Sequence, residues 1–196
     1  MLSDDLKAQT RPQHDAAEAS PAMRAVMSDA LTRSEYRDHL ARLLGFYAPL
    51  EPALGAVDGL RDWLPDLDQR LVKAGWLADD LRAFDDGPMA PAGHAPPLTP
   101  ASALGALYVV EGSTLGGRLI ERHLHRTLGV TPASGARFYH SYGEERGARW
   151  ITFKAALDAF GEANPEAAPE VIAAAADTFG VFSIWLAVPL AEVDYV

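Results

Sequence analysis

Two stretches of this sequence carry residues whose types and spacing could do chemistry. The first lies between Leu104 and Arg118 and contains Glu111-Gly112-Ser113-Thr114-Leu115-Gly116-Gly117. Each glycine inside a helix costs up to about 1 kcal/mol relative to alanine, so Gly112, Gly116 and Gly117 forfeit roughly 3 kcal/mol that something must offset. Three readings are open: close helix packing or a kink, a strained elbow of the G-x-S-x-G kind with Thr114 at its centre, or bare backbone left free for a flat ligand. The second stretch runs from Leu6 to Glu18. Lys7, His14 and Glu18 fall on one helical stripe at spacings of seven and four. A neutral imidazole is a good iron ligand, and a carboxylate one turn away can orient its ring. The competing reading is an exposed histidine in a solvated charge pattern.

Other imidazole and carboxylate pairs are weaker. Glu35-x-x-x-His39 and Glu121-x-His123-x-His125 suggest a carboxylate-bridged di-iron site, but such sites repeat Glu-x-x-His on two helices, and that pattern is absent from the sequence. His94 and His140 fall in irregular stretches and read as surface residues. Arg118, Arg122 and Arg126 recur every fourth residue. They form either a solvated, salt-bridged face or a docking patch for an acidic electron donor.

Helices must position these groups. Ser3 can cap a first helix that Pro12 bends or limits. Ser20-Pro21 and Thr99-Pro100 pair a cap with proline at the first helical position. Thr32-x-x-Glu35 is a capping box leading into a face of Tyr36, Leu40, Leu43, Leu44 and Tyr47. Segments 66–82, 100–128 and 147–160 read as helical. A last helix opens at Asn164-Pro165 or Pro169 and runs through Val171, Ala175, Phe179, Phe182 and Leu186. The proline-rich stretch 85–97 and the stretch 129–147 read as irregular. The expectation is an all-α bundle of six or seven helices forming one domain over 1–196. Tyr108, Trp150, Phe182 and Trp185 are expected in its core.

Composition narrows the chemistry further. The 196 residues include 17 Lys plus Arg against 27 Asp plus Glu, a formal net charge of −10, which disfavours nucleic acid as a partner. The absence of cysteine removes disulfides, thiolate nucleophiles and Cys-based metal sites. The start, Met1-Leu2-Ser3-Asp4-Asp5, is acidic, and the apolar run from Phe179 to Ala191 is too short to span a bilayer. A soluble, cytoplasmic protein without a membrane segment is expected.

Taken together, Leu6-Lys7-x-x-Thr10-x-x-x-His14-x-x-x-Glu18 followed by Met23-Arg24, and then Gly112-Ser113-Thr114-Leu115-Gly116-Gly117, resemble the proximal and distal helices of the heme oxygenase family. The form is that of bacterial members associated with bacteriophytochromes, and the similarity extends to the last helix around Phe179. The resemblance implies a heme-oxygenase-like helical bundle with a kinked, glycine-containing distal helix. It implies a monooxygenase for which heme is both cofactor and substrate, opened at a meso carbon with O2 to give biliverdin, carbon monoxide and ferrous iron. Electrons would come from an external reductase or ferredoxin, and a bacteriophytochrome could receive the biliverdin.

Residue by residue, the resemblance makes His14 the proximal iron ligand and Glu18 its orienting partner, with Thr10 and Phe179 at the heme. Lys7 would pair with a propionate and Lys154 with another, Arg149 being a nearby substitute. Gly112, Gly116 and Gly117 would let the distal backbone lie over the macrocycle. Many family members carry an aspartate in the distal segment, where it organises waters that deliver protons. Ser113 stands there in this chain, and a hydroxyl holds a water without supplying a carboxylate's charge. A non-enzymatic heme carrier is therefore the main alternative.

Overall fold

The computed structural model describes residues 1–84 and 95–187. Eleven α-helices follow in order: α1 (Leu2–Gln9), α2 (Arg11–Glu18), α3 (Pro21–Val26), α4 (Arg33–Gly55), α5 (Leu60–Trp63), α6 (Leu67–Arg70), α7 (Lys73–Arg82), α8 (Pro100–Leu128), α9 (Arg137–His140), α10 (Arg146–Ala163) and α11 (Ala168–Ala187). Short 3-10 turns at Gly143–Glu145 and Pro165–Ala167 lead into α10 and α11. No strand occurs among the described residues. The all-α bundle is as expected, with more and shorter pieces.

Local sequence explains where the elements begin. Thr32 and Glu35 close a reciprocal capping box at α4, and Thr99 closes another with Ser102 at α8. Ser20 accepts from the Met23 amide to cap α3. Ser3 does not cap α1; it lies buried inside that helix, where its amide and hydroxyl donate to the two Asp158 oxygens at 2.8 and 2.9 Å. The expected first helix is two helices. Pro12 lacks an amide hydrogen, so α1 stops at Thr10 and α2 restarts with the proline in its first turn. Segment 66–82 likewise divides into α6 and α7.

α8 is the central beam, and α11 packs along it. At Gly105 a side chain would come within 2.3 Å of the Val171 carbonyl, so the two helices approach at backbone distance. Tyr36, Leu40, Leu43, Leu44 and Tyr47 of α4 are buried as their spacing predicts. Tyr108, Trp150, Phe182 and Trp185 pack against the core but remain partly exposed. By length and composition, residues 165–187 could cross a bilayer, in contrast to the expectation from 179–191. In the fold this segment packs against α8 and buries Val171, Ala175, Phe179 and Leu186, while Val181 and Ile184 stay exposed.

The stretch 129–147 is more ordered than its composition suggests, because it holds α9. A four-residue helix has no periodicity to read, and its order comes from a distant residue. The buried Asp80 on α7 accepts from the Arg137 and Phe138 amides at 2.7 and 2.8 Å. The stretch 85–94, including His94, lies outside the described residues.

Candidate active site

His14 is exposed on α2, and its ring meets Phe179 of α11 edge-on with centroids 6.1 Å apart. Two carboxylates attend the ring: Asp15 lies 3.4 Å from Nδ1 and Glu18 lies 3.7 Å from Nε2. These three residues are the one cluster of three potential metal ligands among the described residues. Glu18 is legible from its i+4 spacing; Asp15 is not, because adjacent residues of a helix do not ordinarily face each other.

Thr10 is buried at the junction of α1 and α2. Its hydroxyl donates to the Leu6 carbonyl at 2.7 Å and bonds with the Tyr108 hydroxyl on α8. Lys7 is exposed in the last turn of α1, and Lys154 is half-buried on α10, the helix that α1 packs against.

The distal candidates sit on α8, whose helical hydrogen bonding continues unbroken through Gly112, Gly116 and Gly117. The three glycines differ sharply. A side chain at Gly117 would come within 2.6 Å of the Tyr139 carbonyl, so Gly117 admits α9. At Gly112 it would rest on the Trp150 ring at 3.6 Å, an ordinary contact. At Gly116 it would meet nothing within 4 Å, which leaves bare backbone facing open space. Close packing thus accounts for Gly117, and the flat-ligand reading suits Gly116. The main packing of both α2 and α8 is with α11, so His14 and the glycine segment lie on two helices that share one neighbour.

Behind the distal segment lies an ion network that sequence reading missed. Glu111, buried on α8, accepts from Arg70 and from Lys73, each at 2.6 Å, and from the Tyr142 hydroxyl at 3.0 Å. Burial opposes the Arg70 charge, but bonds to Asp66 and Glu111 more than offset it and hold its pKa above the ordinary value. Arg149 belongs to this cluster, stacked over Tyr142 and bonded to Gln69. Glu51 accepts from the Lys73 and Ala74 amides and so anchors the start of α7 to α4. Ser113 donates to the Val110 carbonyl at 3.0 Å and pairs with the Tyr47 hydroxyl at 3.2 Å.

The competing sites disperse. Thr114 is buried and donates to the Glu111 carbonyl within its own helix, and no strand precedes it among the described residues, which argues against the elbow. His39 is buried against Tyr139, His123 faces the Ser28 carbonyl, and His125 faces the Val130 carbonyl. The di-iron pairs therefore do not converge. His140 is not a simple surface residue; its Nδ1 lies 2.9 Å from Glu121, a contact that ties α9 to α8.

The family model described as heme oxygenase matches residues 1–187. The chain belongs to the heme oxygenase family. A heme oxygenase of Xanthomonas campestris is 36% identical over 113 residues, a match spanning 53% of this chain and 64% of that relative. Among solved structures, the heme oxygenase of Neisseria meningitidis with bound NO and CO superposes with a TM-score of 0.83 at 25% identity, covering 95% of this chain and 90% of that one. The heme oxygenase of Leptospira interrogans gives a TM-score of 0.75 at 20% identity over 94% and 98% of the two chains, and shares the fold.

The residues of this heme oxygenase family member fit a heme. An exposed imidazole is available at His14, and Gly116 offers a surface that a side chain would fill. Leu115 and Leu119 add exposed apolar area on the same helix. Lys7 and Lys154 supply cations on the neighbouring α1 and α10.

Proposed function

We propose that this chain binds heme through His14 and opens it to biliverdin, carbon monoxide and ferrous iron, using O2 and electrons from an external reductase or ferredoxin. The observation that carries this reading is the exposed His14 imidazole beside Phe179, together with the open, side-chain-free surface at Gly116. When bound, heme supplies the iron that engages O2 and the meso carbon that is oxygenated.

The chain's own residues do the rest. His14 would ligate the heme iron through one ring nitrogen while a carboxylate, Glu18 or Asp15, would hold the other and fix the tautomer. Lys7 and Lys154 would pair with the propionates of a bound heme and so help to hold its orientation. Phe179 braces the His14 ring, and Thr10 holds the α1–α2 junction against Tyr108. Gly116 keeps side chains off the distal face, Gly112 leaves the backbone bare beside the Trp150 ring, and Gly117 lets α9 close behind it. Ser113 holds a proton at its hydroxyl, with Tyr47 as its partner. A cytoplasmic setting and delivery of biliverdin to a bacteriophytochrome suit this chemistry.

The test is an absorption titration with hemin, followed by reductant in air. A saturable Soret band that decays into a biliverdin spectrum is expected. His14→Ala should abolish the native axial spectrum and most turnover; an unchanged spectrum would assign the ligand elsewhere. One observation favours a second reading, a heme carrier: Ser113 places no carboxylate charge beside the distal surface. A Soret band that persists under reductant and air would establish that reading instead.

A further inference from the structure

Ser141 combines three features that seldom coincide. It is 3% exposed, its hydroxyl has no hydrogen-bond partner, and its backbone takes φ 50° and ψ −128°, a region that side-chain-bearing residues avoid. Two other positive-φ positions nearby, Gly135 and Gly143, are glycines. The conformation is pinned from both sides: the Ser141 amide donates to the Arg137 carbonyl, and the Arg137 guanidinium donates to the Ser141 carbonyl.

The same residue lines a recess of about 10 Å3 with Lys73, Ser113, Thr114, Gly117, Phe138 and Tyr139. That is about the space one water needs. The other polar side chains have spent their protons. Lys73 Nζ donates to Arg70, Glu111 and Tyr142; Ser113 donates to Val110; Thr114 donates to Glu111. Among the lining hydroxyls Ser141 alone has no hydrogen-bond partner, Tyr139 being paired with His39, while the Ser113 and Thr114 oxygens retain lone pairs to receive.

We propose that Ser141 holds an ordered water in this recess, and that the water donates onward to Ser113 or Thr114, linking Ser141 to the Ser113–Tyr47 pair at the distal segment. The water then has at least two polar partners, within the range of a buried one. The role of this chain for heme turnover rests on the function proposed above; the water site does not. Ser141 is a positioning residue, and it supplies a chain of exchangeable protons where a carboxylate is absent.

The test is a crystal structure of the full chain without heme, at a resolution that shows ordered water, for the native protein, Ser141→Ala and Ser141→Gly. The glycine variant removes the hydroxyl while relaxing the backbone, so misfolding of the alanine variant leaves the test intact. A water within about 3.2 Å of Ser141 Oγ and of Ser113 or Thr114 Oγ is expected in the native protein and lost from the variants. No water in the native recess, or one that persists in both variants, overturns the proposal. With hemin bound, the variants should keep native affinity and Soret position, lose about tenfold in turnover, and change the pH profile and solvent isotope effect. Native rates and isotope effects in both variants would refute the proton-chain role. A native protein that takes up no hemin would sink the proposed function, while the heme-free crystals still decide the water site.

Discussion

At the scale of single residues, Glu111 bears the heaviest electrostatic duty. It neutralises two cations that are themselves fully buried, Arg70 and Lys73. Removing one partner from a buried ion cluster leaves uncompensated charge, at a cost of about 3–5 kcal/mol. Glu111→Gln should therefore lower the thermal midpoint of the heme-free protein by more than any exposed substitution, as read by calorimetry. None of this was visible in the sequence, where the partners stand 41 and 38 residues from Glu111. Two other buried groups oppose each other in their response to pH. Burial pushes the Asp80 carboxyl up to about 6, against the pull of the Phe138 and Arg137 amides. Burial, aided by the Arg42 charge, pushes His39 down to about 4. The native state binds more protons at Asp80 than the unfolded chain does between its ordinary pKa and 6, so that contribution to stability falls as pH rises through this window. It binds fewer at His39 between 4 and the ordinary histidine value, so that contribution rises over nearly the same range. Asp80→Asn should thus add a positive slope to the thermal midpoint between pH 4 and 6, and His39→Gln a negative one. Parallel curves for both variants and the native protein would refute the assignment.

Elements show which glycines belong to the fold and which to the site. Gly116→Ala adds a methyl group in open space and gains helix propensity, so the heme-free protein should become more stable by up to about 1 kcal/mol. The same methyl group occupies the surface proposed for heme, so hemin affinity should fall. Gly117→Ala drives a side chain into the Tyr139 carbonyl and should destabilise the heme-free protein outright. Melting curves with and without hemin separate the two, and equal behaviour would remove the distinction between packing and binding glycines. The sequence showed that these glycines needed a compensating reason; it could not apportion the reasons, because the compensating surface at Gly117 belongs to α9. Capping boxes and apolar faces were legible at Thr32, Thr99 and Tyr36 through Tyr47, since each is a local rule. The break at Thr10 was half-legible from Pro12. α9 was illegible, because four residues carry no period and their order is imposed by Asp80, more than fifty positions away.

At the scale of the whole molecule, charge decides how an electron donor could approach. The net charge of −10 repels an acidic donor at long range, so productive encounter needs a local exception. Of the three arginines spaced along α8, Arg126 is already engaged by Asp29 and His123. Arg118 and Arg122 are exposed and make no ion pair among the described residues, and they flank the exposed Leu115 and Leu119 on the same helix as Gly116. On the function proposed above, an acidic electron donor such as a ferredoxin would find its complementary charge on this mixed basic and apolar face. Replacing both Arg118 and Arg122 with glutamate should lower ferredoxin-driven turnover at low ionic strength by about tenfold, acting through association rate. Turnover driven by a small uncharged reductant should be unchanged, because it needs no docking. Added salt should narrow the gap between variant and native protein, since the Debye length shrinks to about 3 Å at 1 M. A loss of equal size with both donors would instead mean that the substitutions damage the heme site, and a salt-independent loss would point to a packing defect in α8.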